Sequence, residues 1–204
     1  MKVFKMEIRT VTETMLGSGE SLPGIVDNDI RYDDMGIPYM NAKTLKGHLR
    51  EQMEMIIHVS GDKYSSINIA GLLGSADEDS EKELARLHFS KVGPSEPVRR
   101  TIRKWFANNT VHTADEILDA LTIVNTYTRI GSNGIVENGS LRTARMFRKG
   151  LILESYIYAD SITDLEEELL TDAVKALQHI GTMKSKGKGV VECSLHPTGE
   201  VDDE

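Results

Sequence analysis

The chain has 204 residues, of which 39% are hydrophobic and 27% charged, and its formal net charge is −8 at pH 7. This composition is that of a globular protein with one well-buried core, and no apolar run approaches the roughly 18 residues that a membrane span requires. The alternating N-terminal residues are unlike a signal peptide, Cys193 is the only cysteine, and no Cys/His cluster has the spacing of a zinc site. We therefore expect a cytoplasmic protein with no membrane partner, no disulfide and no structural metal.

The negative charge is concentrated in two short segments. Residues 77–83 and 200–204 each have a net charge of −4, so the remainder of the chain is neutral. Screening makes charges more than about 10 Å apart nearly independent, so a neutral remainder can still carry a basic face. The net charge therefore weakens a nucleic-acid interpretation without excluding it.

The first part of the chain predicts one strand and one helix. Residues 4–9 alternate polar and apolar side chains, which predicts a half-buried strand that continues towards Met15. A loop follows to about Gly36. Asn41 is the predicted N-cap of a helix over residues 42–58, in which apolar side chains recur at helical spacing.

The middle of the chain has mixed signals. Residues 61–109 contain glycines, prolines and an acidic run, and they predict an insertion or a mobile arm instead of core material. A helical turn is predicted over residues 114–120 and a strand over residues 123–130. A glycine- and asparagine-rich connection over residues 131–139 leads to a second long strand over residues 147–158.

The C-terminal part predicts a helix, a strand and a tail. Thr163 and Glu166 have the spacing of a capping box, an apolar stripe follows, and Gly181 ends the helix. Residues 190–195 predict the last strand, and we expect residues 197–204 to form a disordered acidic tail. The order strand, helix, insertion, strand, strand, helix, strand predicts an α+β chain with the ferredoxin-like split βαβ fold.

A loop rich in carboxylates precedes the first predicted helix. It contains Asp27, Asp29, Asp33 and Asp34. Exposed carboxylates can hold a divalent metal or accept a proton from an attacking hydroxyl, and cleavage of RNA needs one or the other. Loop aspartates also form Asx-turns and keep the surface hydrated, so the residues alone leave both interpretations open.

The first predicted helix carries a cationic face. Lys43, Lys46 and Arg50 lie at i, i+3 and i+7 and share this face, whereas His48 points elsewhere. Gly47, in mid-helix, costs about 1 kcal/mol relative to alanine, which favours a close approach of backbone or ligand. The cationic face either binds the phosphates of a nucleic acid or is the solvated side of an amphipathic helix.

A glycine-rich segment, residues 181–192, places Lys184, Lys186 and Lys188 directly before the last predicted strand. Glycines allow backbone amides to come close to a phosphate, and lysines neutralise its charge. The alternative is a flexible surface loop whose lysines only favour solubility.

Two basic segments, residues 99–106 and 141–150, combine arginines with aromatic side chains. They include Arg99, Arg100, Arg103, Trp105 and Arg142. Aromatic rings among cations stack on bases in proteins that bind single strands, although such rings are more often anchors of a core.

Four segments, in this order, resemble the RAMP superfamily of CRISPR-associated proteins, and most of all the repeated backbone subunit of type III (Csm/Cmr) effector complexes. They read PGIVDNDIRYDDMGIPYMNAKTLKGHLRE, IAGLLGSADED, TRIGSNGIVENGSLRTARMFRKGLILESYIY and ALQHIGTMKSKGKGVVE. Together they cover most of the chain outside residues 77–125. The chain has MNAKTLKG where the family has IPGSSLKG, LLG in place of FG, and DND in place of a lone aspartate.

The resemblance implies one domain over residues 1–204, with a modified RNA-recognition fold and a thumb-like arm within about residues 88–122. The arm would contain Arg99, Arg100, Arg103 and Trp105. The resemblance also implies that Asp27 is the catalytic group and holds a divalent metal, with magnesium as the first candidate. Asp29 is the alternative catalytic group.

The resemblance further places Lys46 and Arg50 on the backbone of the guide RNA, with Lys186 in the matching glycine-rich loop. The complete set of predicted RNA-binding residues is Lys43, Lys46, Arg50, Arg142, Lys184, Lys186 and Lys188. The implied partners are CRISPR RNA, single-stranded target RNA, further copies of the chain in a filament, and other subunits of a type III complex.

Three functions remain open at this stage. The first is a guide-binding backbone subunit that also cleaves target RNA, and the second is a backbone subunit of the same kind without catalytic activity. The third is an endoribonuclease that processes CRISPR RNA without a metal and uses His48.

Overall fold

The computed structural model describes residues 1–19, 21, 26–75, 84–108, 113–130, 134–137 and 139–200, except for the side chains of residues 199 and 200. The strands are β1 (Lys2–Thr10), β2 (Arg31–Tyr32), β3 (Pro38–Tyr39), β4 (Leu87–Phe89), β5 (Gly93–Pro94), β6 (Thr122–Tyr127), β7 (Arg142–Phe147), β8 (Ile152–Ala159) and β9 (Val191–Glu200). The helices are α1 (Ala42–Val59), α2 (Ile69–Leu73), α3 (Glu96–Ala107), α4 (Ala114–Leu121) and α5 (Asp164–Ala176), with a 3₁₀ turn at Lys184–Lys186.

The main sheet is antiparallel and has the strand order β4-β8-β1-β9, with β5 also paired to β8. Along the chain, α1 follows β1 and leads to β4, whereas α5 connects β8 to β9. This order of strands and crossover helices is the ferredoxin-like split βαβ arrangement. The predicted α+β, ferredoxin-like fold is therefore confirmed.

β1 lies between β8 and β9, and its alternate apolar side chains form a buried face. Phe4, Met6 and Ile8 are at most 1% exposed. Met6 is aligned with Ser155 on one side and with Leu195 on the other. A slip of one residue would turn this apolar set out of the core, so the register of β1 is fixed by its sequence.

α1 and α5 pack against each other and close the main core. Leu45, Leu49 and Met53 of α1 are fully buried at i, i+4 and i+8, and the helix predicted over residues 42–58 is confirmed. At the start of α5, Thr163 and Glu166 make both hydrogen bonds of the predicted capping box. This helix ends at Ala176, a turn before the predicted end at Gly181.

A second, smaller core connects the arm helices to the loop that precedes α1. It consists of Ile37, Ile102, Ile117 and Leu121. The helical turn predicted over residues 114–120 is confirmed as α4, which continues directly into β6. The described residues of the 88–122 segment therefore contribute to an apolar core, and their use as a thumb stays a prediction.

The prediction that residues 61–109 are poor core material is wrong. Leu72, Leu73, Leu87 and Val92 are at most 1% exposed and belong to the main core. Their apolar runs are only one or two residues long, so no periodicity revealed them. Residues 76–83 of this segment lie outside the described residues.

The long strand predicted over residues 147–158 begins later than predicted, at Ile152. β7 ends at Phe147, Gly150 turns the chain with a φ of 83°, and β8 begins at Ile152. β7 pairs with β6, whereas the sequence predicts only a basic segment over residues 141–150. Its pattern is hidden because Arg145, a buried residue of the strand, is charged.

Two strand ends also differ from the prediction. β1 stops at Thr10, and Met15 makes only an isolated bridge. β9 continues through Pro197 to Glu200, so the start of the predicted tail is a strand instead of disordered. Pro197 is tolerated because β9 is an edge strand and its register shifts there, opposite Phe4. The last four residues, 201–204, lie outside the described residues.

Candidate nucleic-acid interface

Asp27 lies on an exposed loop and is held against the start of β7. Its Oδ2 accepts hydrogen bonds from the amide of Thr143 at 2.7 Å and from Oγ1 of Thr143 at 3.0 Å. The Asp27 amide donates to the same Oγ1 at 3.0 Å. The amide and the hydroxyl of Thr143 lower the pKa of Asp27, and the charge of Arg142 adds to this effect. Asp27 is therefore an ionised, solvent-facing carboxylate at neutral pH.

Asp29, the alternative catalytic group, is in a different environment. It is only 3% exposed, and its Oδ1 accepts a hydrogen bond from the Ile30 amide at 2.8 Å. The same oxygen lies 3.2 Å from Nε of Arg145, which is 7% exposed and also contacts Asp119 at 3.1 Å. The Asp29–Arg145 pair is thus buried inside the fold, which gives Asp29 a role in holding the loop.

The two remaining loop aspartates differ from each other. Asp33 accepts hydrogen bonds from the amides of Met35 and Ile37, both at 3.0 Å, so the Asx-turn interpretation is confirmed for this residue. Asp34 is exposed at the tip of the same turn.

A cleft of about 220 Å³ opens at the N-terminal end of α1. The residues that line it include Arg31, Tyr39, Asn41, Thr44, His48 and Gly181. The first turn of α1 contains no acidic residue, and the Asn41 side chain caps no amide among the described residues. The positive end of the helix dipole therefore faces the cleft, as in sites that bind phosphate.

His48 joins α1 to the glycine-rich segment. Its Nε2 accepts a hydrogen bond of 3.4 Å from the Gly181 amide. Burial lowers the pKa of His48 and outweighs the opposing effect of Glu51, and the nearby charge of Lys184 lowers the pKa further. A neutral imidazole that accepts this hydrogen bond fixes the position of the segment beside the helix.

The cationic face of α1 points away from this cleft. Successive residues of a helix are turned by about 100°, so Lys46 and Arg50, each two positions from His48, lie on the opposite side. The Arg50 guanidinium donates to the carbonyl groups at the C-terminal end of α2. Arg50 therefore stabilises the contact between α1 and α2, whereas Lys43 is exposed in the first turn.

The glycines of the glycine-rich segment allow the chain to pack on itself. A Cβ atom at Gly181 would lie 2.2 Å from the carbonyl oxygen of Met15, and one at Gly189 would lie 2.2 Å from that of Ile180. Both glycines have positive φ angles. Close packing against the chain's own backbone, and not only approach to a phosphate, thus explains glycine at these two positions.

The lysines of this segment have different neighbours. The Nζ atom of Lys186 lies 4.7 Å from the centre of the Tyr127 ring, and Tyr127 is aligned with Arg142 across the β6–β7 hairpin. Lys188 pairs with Glu13 at 2.9 Å. Lys186 therefore contacts the tyrosine at the loop end of the hairpin, whereas the charge of Lys188 is balanced. The Arg142 guanidinium, at the same end, donates to the carbonyl oxygens of Gly139 and Leu141.

The predicted arm residues lie on α3. Glu96 contacts Arg99 at 3.3 Å and Arg103 at 3.2 Å, so these two cations share a carboxylate of their own helix. Arg100 is exposed. Trp105 is 38% exposed and lines an apolar groove of about 350 Å³ between α3 and α4.

The loop that closes the β6–β7 hairpin exposes apolar side chains that sequence reasoning missed. These are Ile130, Ile135, Val136 and Leu141, all more than half exposed. Their clustering inside a glycine- and asparagine-rich connection was the available signal, because such loops are usually polar. Residues 131–133 and 138 of this connection lie outside the described residues.

The side chains near Asp27 determine whether the predicted divalent metal can bind there. No group of three or more His, Cys, Asp or Glu side chains is arranged to hold a metal ion in the described part of the chain. Magnesium binds through one or two carboxylates completed by phosphate oxygens and water. Asp27 fits this requirement only together with a bound RNA phosphate.

Among the described residues, every helix is too short or too polar to cross a bilayer.

The family model described as RAMPs, the RAMP superfamily, matches residues 7–192. The chain belongs to the RAMP superfamily. Its fold is similar to a chain of the type III-B Cmr-beta complex bound to cognate target RNA, with a TM-score of 0.67, 14% identity and coverage of 95% of this chain and 96% of that chain. The apo state of Cmr-beta gives a TM-score of 0.66, 13% identity and 98% coverage of both chains.

A chain of a type IV-B CRISPR complex is also similar to this RAMP protein. The TM-score is 0.65 at 14% identity, and the match covers 99% of this chain and 93% of that chain. At these identities the likeness shows a shared fold. A search of curated protein sequences gave no match.

The predicted site residues of this RAMP protein fall into two groups. Asp27, Arg142 and Lys186 lie close to Thr143 and Tyr127 at the loop end of the hairpin. The other group consists of the cations of α1 and α3. They lie on helices that contribute no residue to the Asp27 group. Sequence reasoning missed Thr143 because no local spacing relates positions that are 116 residues apart.

Proposed function

We propose that this RAMP protein is a backbone subunit of a type III CRISPR effector complex, which binds CRISPR RNA and cleaves the guide-paired target RNA with a divalent metal. The observation that carries the proposal is the ionised, solvent-facing Asp27, fixed by Thr143 next to Arg142. The shared fold with a chain of a complex bound to cognate target RNA supports it.

The RNA-binding part of the proposal rests on cations and anion-binding groups that lie next to each other. Lys186 lies over the Tyr127 ring and Arg142 is aligned with Tyr127 across the hairpin, so the ring can stack on a base while the two cations neutralise phosphates. The N-terminal end of α1 offers backbone amides to a further phosphate. Other copies of the chain along the same guide would repeat this arrangement.

For cleavage, the chain would have to supply one carboxylate ligand for the metal. A bound divalent metal would neutralise the charge that develops on the scissile phosphate. Asp27 would hold it through Oδ1, because Oδ2 is already engaged by Thr143. The low pKa of Asp27 keeps the ligand charged at neutral pH, so no proton has to leave before the metal binds.

A non-catalytic backbone subunit is the second candidate, and one observation favours it. Asp29 is buried against Arg145, so the DND sequence supplies one accessible carboxylate instead of two. The two candidates share every RNA-binding feature. They differ only in whether Asp27 with its metal is sufficient for cleavage.

Cleavage of complementary RNA by the assembled, guide-loaded complex tests the proposal. Asp27→Asn keeps the size of the side chain and removes its charge, so we expect loss of magnesium-dependent cleavage with unchanged assembly. Asp34→Asn is the matched control, because it makes the same change at an exposed aspartate of the same loop. Cleavage should stop in EDTA and resume with added magnesium.

The outcomes separate the two candidates. Cleavage by Asp27→Asn at the wild-type rate would contradict the catalytic assignment. An intact wild-type complex that binds target RNA but leaves it uncut in magnesium would favour the non-catalytic subunit.

A further inference from the structure

Asp27 is fixed to β7 by a closed ring of hydrogen bonds through a single residue. The Thr143 hydroxyl accepts from the Asp27 amide and donates to Asp27 Oδ2, both at 3.0 Å. The Thr143 amide donates to the same Oδ2 at 2.7 Å. Thr143 therefore holds both the main chain and the carboxylate of Asp27. The carboxylate cannot rotate without breaking these hydrogen bonds.

The next residues of the loop extend this attachment along β7. The Asn28 amide donates to the Thr143 carbonyl oxygen at 3.1 Å, and the Arg145 amide donates to the Asn28 carbonyl oxygen at 3.0 Å. Asn28 forms a parallel bridge with Ala144, and Asp29 pairs with the Arg145 side chain. Each loop residue thus has its own partner on the strand, which fixes the loop in register.

The ring leaves the two oxygens of the carboxylate in different states. Oδ2 takes both hydrogen bonds from Thr143, whereas Oδ1 accepts none from any described residue. The Thr143 hydroxyl closes the ring, because it accepts from the Asp27 amide and donates to Oδ2. A ligand that approaches Asp27 therefore meets Oδ1 in a set orientation.

We infer that Thr143 is a positioning residue: it holds Asp27 in the orientation in which Oδ1 would bind the divalent metal. This inference rests on the proposed function, since it assigns a role within that site. The inference can fail while the proposed function holds, because Asp27 can be the metal ligand whether or not Thr143 orients its carboxylate.

The chemistry of the ring gives a sharp set of variants. Thr143→Val keeps the β-branched shape that suits a strand but removes the acceptor for the Asp27 amide and one donor to Oδ2. Thr143→Ser keeps both hydrogen bonds. Thr126 is aligned with Thr143 on β6, so Thr126→Val makes the same chemical change on the neighbouring strand and serves as the control.

The experiment uses the assembled, guide-loaded complex and has two readouts. One is the single-turnover rate of target cleavage at several magnesium concentrations. The other is binding of manganese, followed by electron paramagnetic resonance, in complexes that hold a 2′-deoxy target strand and so cannot react. Guide affinity and thermal unfolding are measured on the same variants.

We expect Thr143→Val to lower both the cleavage rate and the manganese affinity about tenfold, since a hydrogen bond to a charged group is lost. Guide affinity should stay within about twofold, because Thr143 itself offers no charge to a phosphate. Thr143→Ser and Thr126→Val should remain within about twofold of wild type in both readouts. Asp27→Asn should lose both.

Two results would overturn the inference while leaving the proposed function intact. One is wild-type cleavage and manganese affinity in Thr143→Val when Asp27→Asn is inactive. The other is an equal loss in Thr143→Val and Thr143→Ser, because this would show that the site needs the shape of threonine and not its hydroxyl. Inactivity of the wild-type complex, or full activity of Asp27→Asn, would instead remove the proposed function and the inference with it.

Discussion

The ammonium group of Lys186 lies 4.7 Å from the centre of the Tyr127 ring. This contact joins the glycine-rich segment to the end of β6, where Tyr127 is aligned with Arg142. The next residue of β7, Thr143, holds Asp27. A segment that is late in the chain is thereby linked, at the loop end of the hairpin, to the acidic loop near the beginning of the chain.

Lys186→Ala should weaken binding of single-stranded RNA and reduce its dependence on salt. Each phosphate contact to a single strand contributes about 0.7 to the slope of log K against log salt concentration, and we expect the slope to fall by about this amount. Fluorescence anisotropy of the full-length protein with labelled RNA, repeated from low to high salt, measures it. Duplex DNA of the same length shows whether the contact favours single strands.

Lys175→Ala is the matched control for this experiment. Lys175 is an exposed lysine in the last turn of α5, so its removal changes the net charge equally. Equal slopes in the Lys186 and Lys175 variants would mean that only overall charge matters, which contradicts a contact at Lys186.

Arg145→Ala should destabilise the protein strongly. Arg145 is 7% exposed and contacts Asp29, which is 3% exposed, so the substitution leaves a buried carboxylate without its cation. Removal of one partner from a buried pair costs about 3–5 kcal/mol in the free energy of unfolding. Urea denaturation of the full-length protein measures the change.

Asp119→Ala provides the comparison for Arg145. Asp119 also contacts Arg145 at 3.1 Å, but its side chain is 76% exposed. Exposed ion pairs contribute about 0–1 kcal/mol, so we expect a small effect. Similar losses in both variants would show that the contact between Arg145 and the buried Asp29 is not what stabilises the loop.

The elements of the main fold were predictable from sequence wherever one local pattern determined them. The alternation at Phe4, Met6 and Ile8 predicted β1, and the spacing of Thr163 and Glu166 predicted the start of α5. β7 was not recognised, because the charge of its buried Arg145 is paired with acids from the loop and from α4. A strand stabilised by such distant partners leaves no local pattern.

The candidate site was predictable only in part, for a similar reason. Asp27 stood out through its acidic loop and through the resemblance to the RAMP superfamily. Thr143 and Tyr127 did not, because their roles come from contacts made when the hairpin packs against the loop and the glycine-rich segment. Helical spacing placed Lys46 and Arg50 on one face of α1. It could not show the orientation of the helix, which buries Leu45 and Leu49 and directs the face with Lys46 away from the cleft.

Glu166 makes the stability of the fold sensitive to acid. Burial alone would raise the pKa of Glu166, but the ion pair with Arg86 and the hydrogen bonds from Thr163 outweigh it and lower the pKa below its ordinary value of 4.5. The folded protein therefore binds this proton less readily than the unfolded chain does. The resulting stabilisation is fully present above about pH 4.5 and is lost as the pH falls through the lowered value.

Glu166→Gln should therefore be less stable than wild type at neutral pH, and its disadvantage should shrink as the pH falls below 4.5. The neutral amide can still accept from the Thr163 amide but no longer pairs with the Arg86 cation, so most of the difference is electrostatic. Urea denaturation between pH 3 and pH 7 tests this, with Glu168→Gln as the control because Glu168 lies on the same helix with its side chain half exposed. A constant difference between wild type and Glu166→Gln over this range would mean that the pair with Arg86 contributes no charge-dependent stability. The loss would then come from the packing of the capping box alone.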